Sequence, residues 1–209
     1  MTDAAKRVVV ATGNRHKVEE IEQALASSGW EFCALRDLGD FPEPVEDGET
    51  FEDNARIKAR AAFENTGLAS LADDSGLVVD ALGGRPGVHS SRYAGEHATD
   101  AENNAKLLVE LADVPHEKRT ARFVSVMVFI DEDGTETVAQ GACEGYIATE
   151  PQGDGGFGYD PLFHPIEVEG QPAMAELTMQ QKNAISHRGK ALVNLRALLG
   201  HDAGEAVNG

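Results

Sequence analysis

Two neighbouring carboxylates, Asp73 and Asp74, follow the apolar run at residues 68–72. Such a run reads as a buried strand, and in an open α/β sheet ligands gather where strands end. Adjacent strand residues point to opposite faces. One of the two, or one joined by a distant partner such as Glu46, is therefore what a metal ion would meet. Magnesium suits that set, because it takes hard oxygen ligands, keeps several waters and is commonly shared between one or two carboxylates and substrate phosphates. The competing role for paired aspartates at a turn is capping of the local backbone.

Cations collect where helices disfavour them. A positive helix N-terminus makes basic residues unfavourable by roughly 0.3–1 kcal/mol each. Yet one predicted helix opens Asn14-Arg15-His16-Lys17 and another Ser186-His187-Arg188-Gly189-Lys190. Free backbone N–H groups, the helix dipole and cationic side chains would all favour an anion there, phosphate being the natural one. The alternative is that the long side chains bend away to solvent. Thr12-Gly13, directly after a buried strand, suits a close backbone approach to an oxyanion. Neither GxxxxGK[ST] nor GxGxxG after a strand occurs, which argues against ordinary P-loop and dinucleotide-binding designs. The segment GDGGFGYD at 153–160 reads as a mobile glycine-rich loop in which Phe157 or Tyr159 stacks on a base, or anchors the loop to the core.

The elements that would carry these groups alternate strand and helix. Residues 8–11 form a short buried strand running into Thr12-Gly13-Asn14 and a helix with Ile21, Ala24 and Leu25 on its apolar stripe. Residues 31–35 form the next strand, and 37–49 a Gly/Pro/acid-rich loop. Thr50 with Asp53, and Thr99 with Glu102, make capping-box patterns. The first opens a helix to about Glu64; the second opens one with Ala105, Leu108 and Leu111 toward the core. Residues 68–73 predict a strand, 74–76 a turn out of it and 77–81 a further extended piece. Residues 121–130 and 137–146 predict a hairpin around the turn at 131–134. A glycine-rich loop, a short segment to Phe163, another loop and a closing helix at 186–199 complete the chain.

The 209 residues suit one domain of α/β class, assigned to residues 1–200, with a dispensable tail at 201–209. The 22 glycines point to tight turns, and Cys33 and Cys143 sit in no metal-binding or disulfide pattern, as expected for a reducing cytoplasm. No signal-peptide or membrane-length run is present. A net charge of -18, from 36 acidic and 18 basic side chains, repels nucleic acid and anionic membranes. A polyanionic small molecule would bind only where cations converge or a metal accompanies it.

Five blocks, TGNRHK at 12–17, FEDNARIKA at 51–59, LADDSGLVVDALGGRPGVHSSRYAG at 71–95, GGFGYDPLF at 155–163 and AELTMQQKNAISHRGKAL at 175–192, resemble the inosine triphosphate pyrophosphatase family. The resemblance runs in family order over nearly the whole chain. It implies an elongated, two-lobed mixed sheet flanked by helices, with the active site in the cleft between lobes, and a homodimer. It also implies magnesium-dependent hydrolysis of ITP, dITP and XTP to monophosphate and pyrophosphate. By position, Thr12, Gly13, Asn14, Arg15, His16 and Lys17 resemble the phosphate-binding turn. Glu46 and Asp74 resemble the metal carboxylates, with Asp73 beside them. Asp74 also resembles the proton acceptor and Ser75 a neighbouring substrate contact. Phe157, Gly158, Tyr159, Asp160, Lys182, His187 and Arg188 resemble the base-recognition and substrate-holding set, and Lys58 reaches toward phosphate. Arg15 and His16 stand where the family varies. Two alternatives stay open: a related pyrophosphatase for pyrimidine or modified nucleotides, and a nucleotide-binding regulator without turnover.

Overall fold

A computed structural model describes residues 6–12, 18, 21, 22, 25 and 29–200. The expectations for 13–17, for Ala24 and for the tail at 201–209 lie outside the described residues. The strands are β1 (Arg7–Val10), β2 (Glu31–Ala34), β3 (Ala69–Val79), β4 (Thr120–Ile130), β5 (Glu136–Ile147) and β6 (Phe163–Pro165). They form one mixed sheet in the order β2-β1-β3-β4-β5-β6. β1 pairs in parallel with β2 and β3, and β5 pairs antiparallel with β6. The helices are α1 (Phe51–Thr66), α2 (Asp100–Glu110), α3 (Met179–Ile185) and α4 (His187–Leu198). Val18, Ile21 and Glu22 are also helical.

The chain divides into two compact units. The first comprises Met1–Asp74, Val126–Gly141 and Lys190–Gly209; the second comprises Ser75–Ser125 and Ala142–Gly189. In the first unit, strand alternation sorts the core. Val8, Val10 and Leu71 pack with Ile21, Leu25, Leu192 and Leu195, whereas Val9 and Ala72 pack with Ala55, Ala59 and Ala62 of α1. Both faces are covered, which is why β1 reads as a continuous apolar run. The alanines give α1 a smooth face against the sheet, and Ser70, fully buried, donates its hydroxyl to the Ala59 carbonyl at 2.8 Å. The second unit buries Leu77, Leu107, Leu111, Phe123, Ile147, Leu162 and Phe163 together. Its Arg119, 4% exposed, donates to the carbonyls of Leu111, Val114 and Ala148, which resolves the cost of burying a guanidinium.

Both capping boxes form as predicted, at Thr50/Asp53 and Thr99/Glu102. Three local expectations are corrected. Asp74-Ser75-Gly76 is no turn: β3 runs unbroken from Ala69 to Val79, because pairing within the sheet overrides the turn preference of Asp, Ser and Gly. On α2, Leu108 and Leu111 pack toward the core as expected, but the fully buried stripe is Asn103 and Leu107, and Ala105 is exposed. Asn103 belongs inside because its amide accepts from Ala94 N–H and donates to the Ser91 carbonyl, so a polar residue marks the core face. Finally, α3 stands where a loop was expected, opened by a Thr178/Gln181 capping box that the sequence already carried.

Candidate active site

β3 alternation decides which way each aspartate faces. Asp74 shares its face with Ala72, the side covered by α1, and Asp73 points the other way and is 3% exposed. On α1, Asn54 and Lys58 stand one turn apart and so project together. Lys58 Nζ lies 3.0 Å from Asp74 Oδ1 and 3.0 Å from Glu46 Oε2. Glu46 comes from the acidic loop that leads into α1. That loop is pulled against the helix by Gly48 N–H donating to Asn54 Oδ1 at 2.9 Å, while Asn54 Nδ2 approaches Asp74 Oδ2 at 3.5 Å. The approach is close enough that a Cβ on Gly48 would lie 2.6 Å from the Asp53 Cβ.

The electrostatics follow from this crowding. Burial raises the Asp74 carboxyl above the ordinary aspartate range; Lys58 pulls it down, and Glu46 and Asp73 push it up again. Burial presses the Lys58 ammonium down, but Asp74 and Glu46 outweigh it and its pKa ends above the usual lysine value. The two directions are compatible, since one ammonium serves two carboxylates with a third nearby. Negative charge is in excess around Lys58, and a divalent cation fits that excess. Among the described residues no group of three or more His, Cys, Asp or Glu converges to cage a metal by itself. Two carboxylates such as Glu46 and Asp74 suit an ion that takes most of its ligands from water or phosphate, as magnesium does.

A second group of predicted residues lies in the other unit. Asp160, 3% exposed, accepts from Lys182 Nζ at 2.5 Å and from Phe157 N–H at 2.9 Å through the same oxygen. Lys182 Nζ also sits 4.5 Å from the centre of the ring of Phe157, a residue 62% exposed. Tyr159 behaves differently. It is 4% exposed, and its hydroxyl donates to the Ser90 carbonyl at 2.8 Å, so it anchors the loop and leaves Phe157 as the available aromatic face. Gly156, at φ +75°, lies so close to Asp160 that a Cβ would collide with the carboxylate. His187 stacks on Phe123, with centroids 5.1 Å apart, and Arg188 is buried in the first turn of α4. Ser186 Oγ accepts from Gly189 N–H and caps that helix.

Glu46, Lys58 and Asp74 are thus brought together in one unit, and Phe157, Gly158, Asp160 and Lys182 in the other. Asp73 and Ser75 occupy the opposite face of β3 from Asp74. Thr12 lies two residues past the end of β1; Gly13, Asn14, Arg15, His16 and Lys17 lie outside the described residues. Sequence reasoning missed Asn54 and Gly48. A polar residue four positions before Lys58, on the alanine-lined side of α1, was the available signal.

The Ham1 family model matches residues 8–198. The chain belongs to the Ham1 family. It is 50% identical over 206 residues to the dITP/XTP pyrophosphatase of Corynebacterium efficiens, covering 95% of this chain and 100% of that relative. It is 52% identical over 194 residues to the dITP/XTP pyrophosphatase of Geobacter sulfurreducens, covering 93% and 96%. The solved Ham1 protein of Coxiella burnetii superposes with a TM-score of 0.87 at 43% identity, covering 93% of this chain and 98% of that one. The blocks that carry the resemblance thus stand on a Ham1 fold. Among the described residues no helix is long and apolar enough to cross a membrane.

Proposed function

We propose that this Ham1 chain hydrolyses deaminated purine nucleoside triphosphates, ITP, dITP and XTP, to the monophosphate and pyrophosphate, removing them from the nucleotide pool. The observation that carries the reading is the Glu46–Lys58–Asp74 cluster, in a chain about half identical to curated dITP/XTP pyrophosphatases over nearly its full length. Asp74 is the general base. Its raised pKa makes it a stronger proton acceptor than a free carboxylate. As water oxygen bonds to the α-phosphorus, a proton passes to the Asp74 carboxylate. The bond to the bridging oxygen breaks and its electron pair leaves with pyrophosphate.

Lys58 holds Asp74 and Glu46 in place and offsets phosphate charge. Glu46 and Asp74 are the residues that would hold magnesium, which would supply charge neutralisation on the phosphates; Asp73, assigned beside them by the resemblance, faces the other side of β3. Phe157 gives the purine a stacking face, with Lys182, fixed by Asp160, holding its ammonium 4.5 Å from the ring centre; Gly158, His187 and Arg188 complete the substrate-holding set, and the family resemblance assigns Ser75 and residues 12–17 to substrate and phosphate binding. A pocket that donates hydrogen bonds to the oxygen on purine C6 would accept hypoxanthine and xanthine, whereas an adenine amino group would leave those donors unpaired. The reading includes a homodimer working in the cytoplasm, without nucleic-acid or membrane partners, in keeping with the net charge of -18.

The test is purified protein with magnesium and a panel of triphosphates, with products identified by phosphorus NMR. Inosine monophosphate and pyrophosphate from ITP, with ATP spared, is the expected result. Diphosphate and orthophosphate would overturn the mechanism.

A further inference from the structure

Gly158 is gripped through both of its backbone polar groups by one face of α2. Its N–H donates to Asp100 Oδ2 at 2.7 Å, and its carbonyl accepts from Asn104 Nδ2 at 2.8 Å. Asp100 and Asn104 are four residues apart, so a single helical turn presents both. The helix is itself fixed. Its first turn is closed by the Thr99/Glu102 capping box, and buried Asn103 bonds the Ala94 N–H and the Ser91 carbonyl, which sets the rotation of α2 about its axis.

Gly158 adopts φ +59°, a left-handed conformation that costs glycine little and other residues more. Immediately before it stands Phe157, 62% exposed while its N–H is bound to Asp160. A large aromatic face left in water on so tightly tied a backbone is arranged before any ligand arrives. Stacking requires a defined ring plane, and ordering the loop in advance removes that entropy cost from binding.

We propose that Asp100 and Asn104 are positioning residues for base recognition: by fixing the Gly158 peptide they set the plane of the Phe157 ring on which the purine stacks. The inference rests on the reading of Phe157 as the base platform. The two residues act through the loop, not on the nucleotide.

The test is calorimetry on the full chain with magnesium and two probes, inosine monophosphate and inorganic pyrophosphate. Asn104→Ala is expected to weaken binding of the monophosphate roughly three- to tenfold, the scale of one lost hydrogen bond, with pyrophosphate unchanged within about twofold. In ITP turnover the same variant raises KM while kcat holds within about threefold. Asp100→Ala gives the same pattern, and Asp100→Asn, which keeps an acceptor for the Gly158 N–H, restores binding. Phe157→Ala separates the two readings. If it leaves monophosphate binding intact, the platform reading fails, and the clamp with it. If it weakens binding but Asn104→Ala and Asp100→Ala do not, the clamp alone is overturned. The double variant Asn104→Ala/Phe157→Ala should bind no more weakly than Phe157→Ala, because residues acting through one another are non-additive. Additive losses, or equal weakening of both probes, overturn the proposal. Should Asn104→Ala not fold, Asp100→Ala carries the same comparison.

Discussion

Replacing Gly48 by alanine should both destabilise the protein and loosen its acidic site. The added methyl would lie 2.6 Å from Asp53 Cβ, 2.7 Å from Asn54 Oδ1 and 2.9 Å from Asn54 N. Relaxed contacts between carbons are about 3.5–4.0 Å, so the loop must retreat by about 1 Å. Gly48 is not among the glycines at positive φ, so backbone strain does not contribute. The retreat stretches the 2.9 Å bond from Gly48 N–H to Asn54 Oδ1 beyond useful length. Asn54 is 2% exposed, and a buried acceptor left unpaired costs about 1–3 kcal/mol. Residual overpacking costs about 1–3 kcal/mol, partly relieved by the same movement. The expected total is about 2–4 kcal/mol, a large value for one methyl group. Glu46 moves with the loop, which lengthens its 3.0 Å contact with Lys58. Urea unfolding measures the first effect, and the magnesium concentration for half-maximal ITP turnover measures the second; it should rise. A loss under about 0.5 kcal/mol together with unchanged magnesium dependence would refute the reasoning.

Three further outcomes are expected. Asp74→Asn should lower kcat for ITP by about 10²–10⁴-fold, the usual worth of a general base, with the far-ultraviolet circular dichroism spectrum retained; wild-type turnover would remove Asp74 from that role. Arg119→Met takes a donor from three carbonyls, of which Leu111 keeps the Val114 N–H, and should cost roughly 2–4 kcal/mol in urea unfolding; a neutral effect would mean water satisfies the other two. Burial, with the hydrogen bond to Glu110, pushes the Tyr93 hydroxyl up to about 12. A folded pKa above the unfolded one means stability present below about pH 10 and lost as pH rises toward 12. Tyr93→Phe should remove that part of the alkaline loss, read from unfolding curves between these pH values.

What was legible in the sequence was what depends on local pattern. The runs at 8–11, 121–130 and 137–146 became β1, β4 and β5 because a strand's own residues carry its periodicity. Thr50 and Thr99 announced their helices because a cap needs only its neighbours three positions on. Misreadings came where distant contacts overrode local preference. Asp74-Ser75-Gly76 has turn chemistry but is held extended within the sheet, and Asn103 looks like a surface residue until the Ser91–Ala94 backbone is folded against it.

For the site, the sequence offered the inventory: Glu46, Lys58, Asp73, Asp74, the aromatic loop and Lys182, together with the resemblance to the inosine triphosphate pyrophosphatase family that implies their chemistry. Only the tertiary structure decided which aspartate faces α1 and which aromatic is exposed. It also showed that Asn54 ties the Glu46 loop to Asp74 and that Asp100 and Asn104 hold Gly158. Side-chain direction depends on strand phase and on what packs opposite, and hydrogen bonds such as Asn104 to Gly158 join residues 54 positions apart. No window along the chain contains both partners of such a bond, so its existence is settled only when the sheet and its helices have assembled.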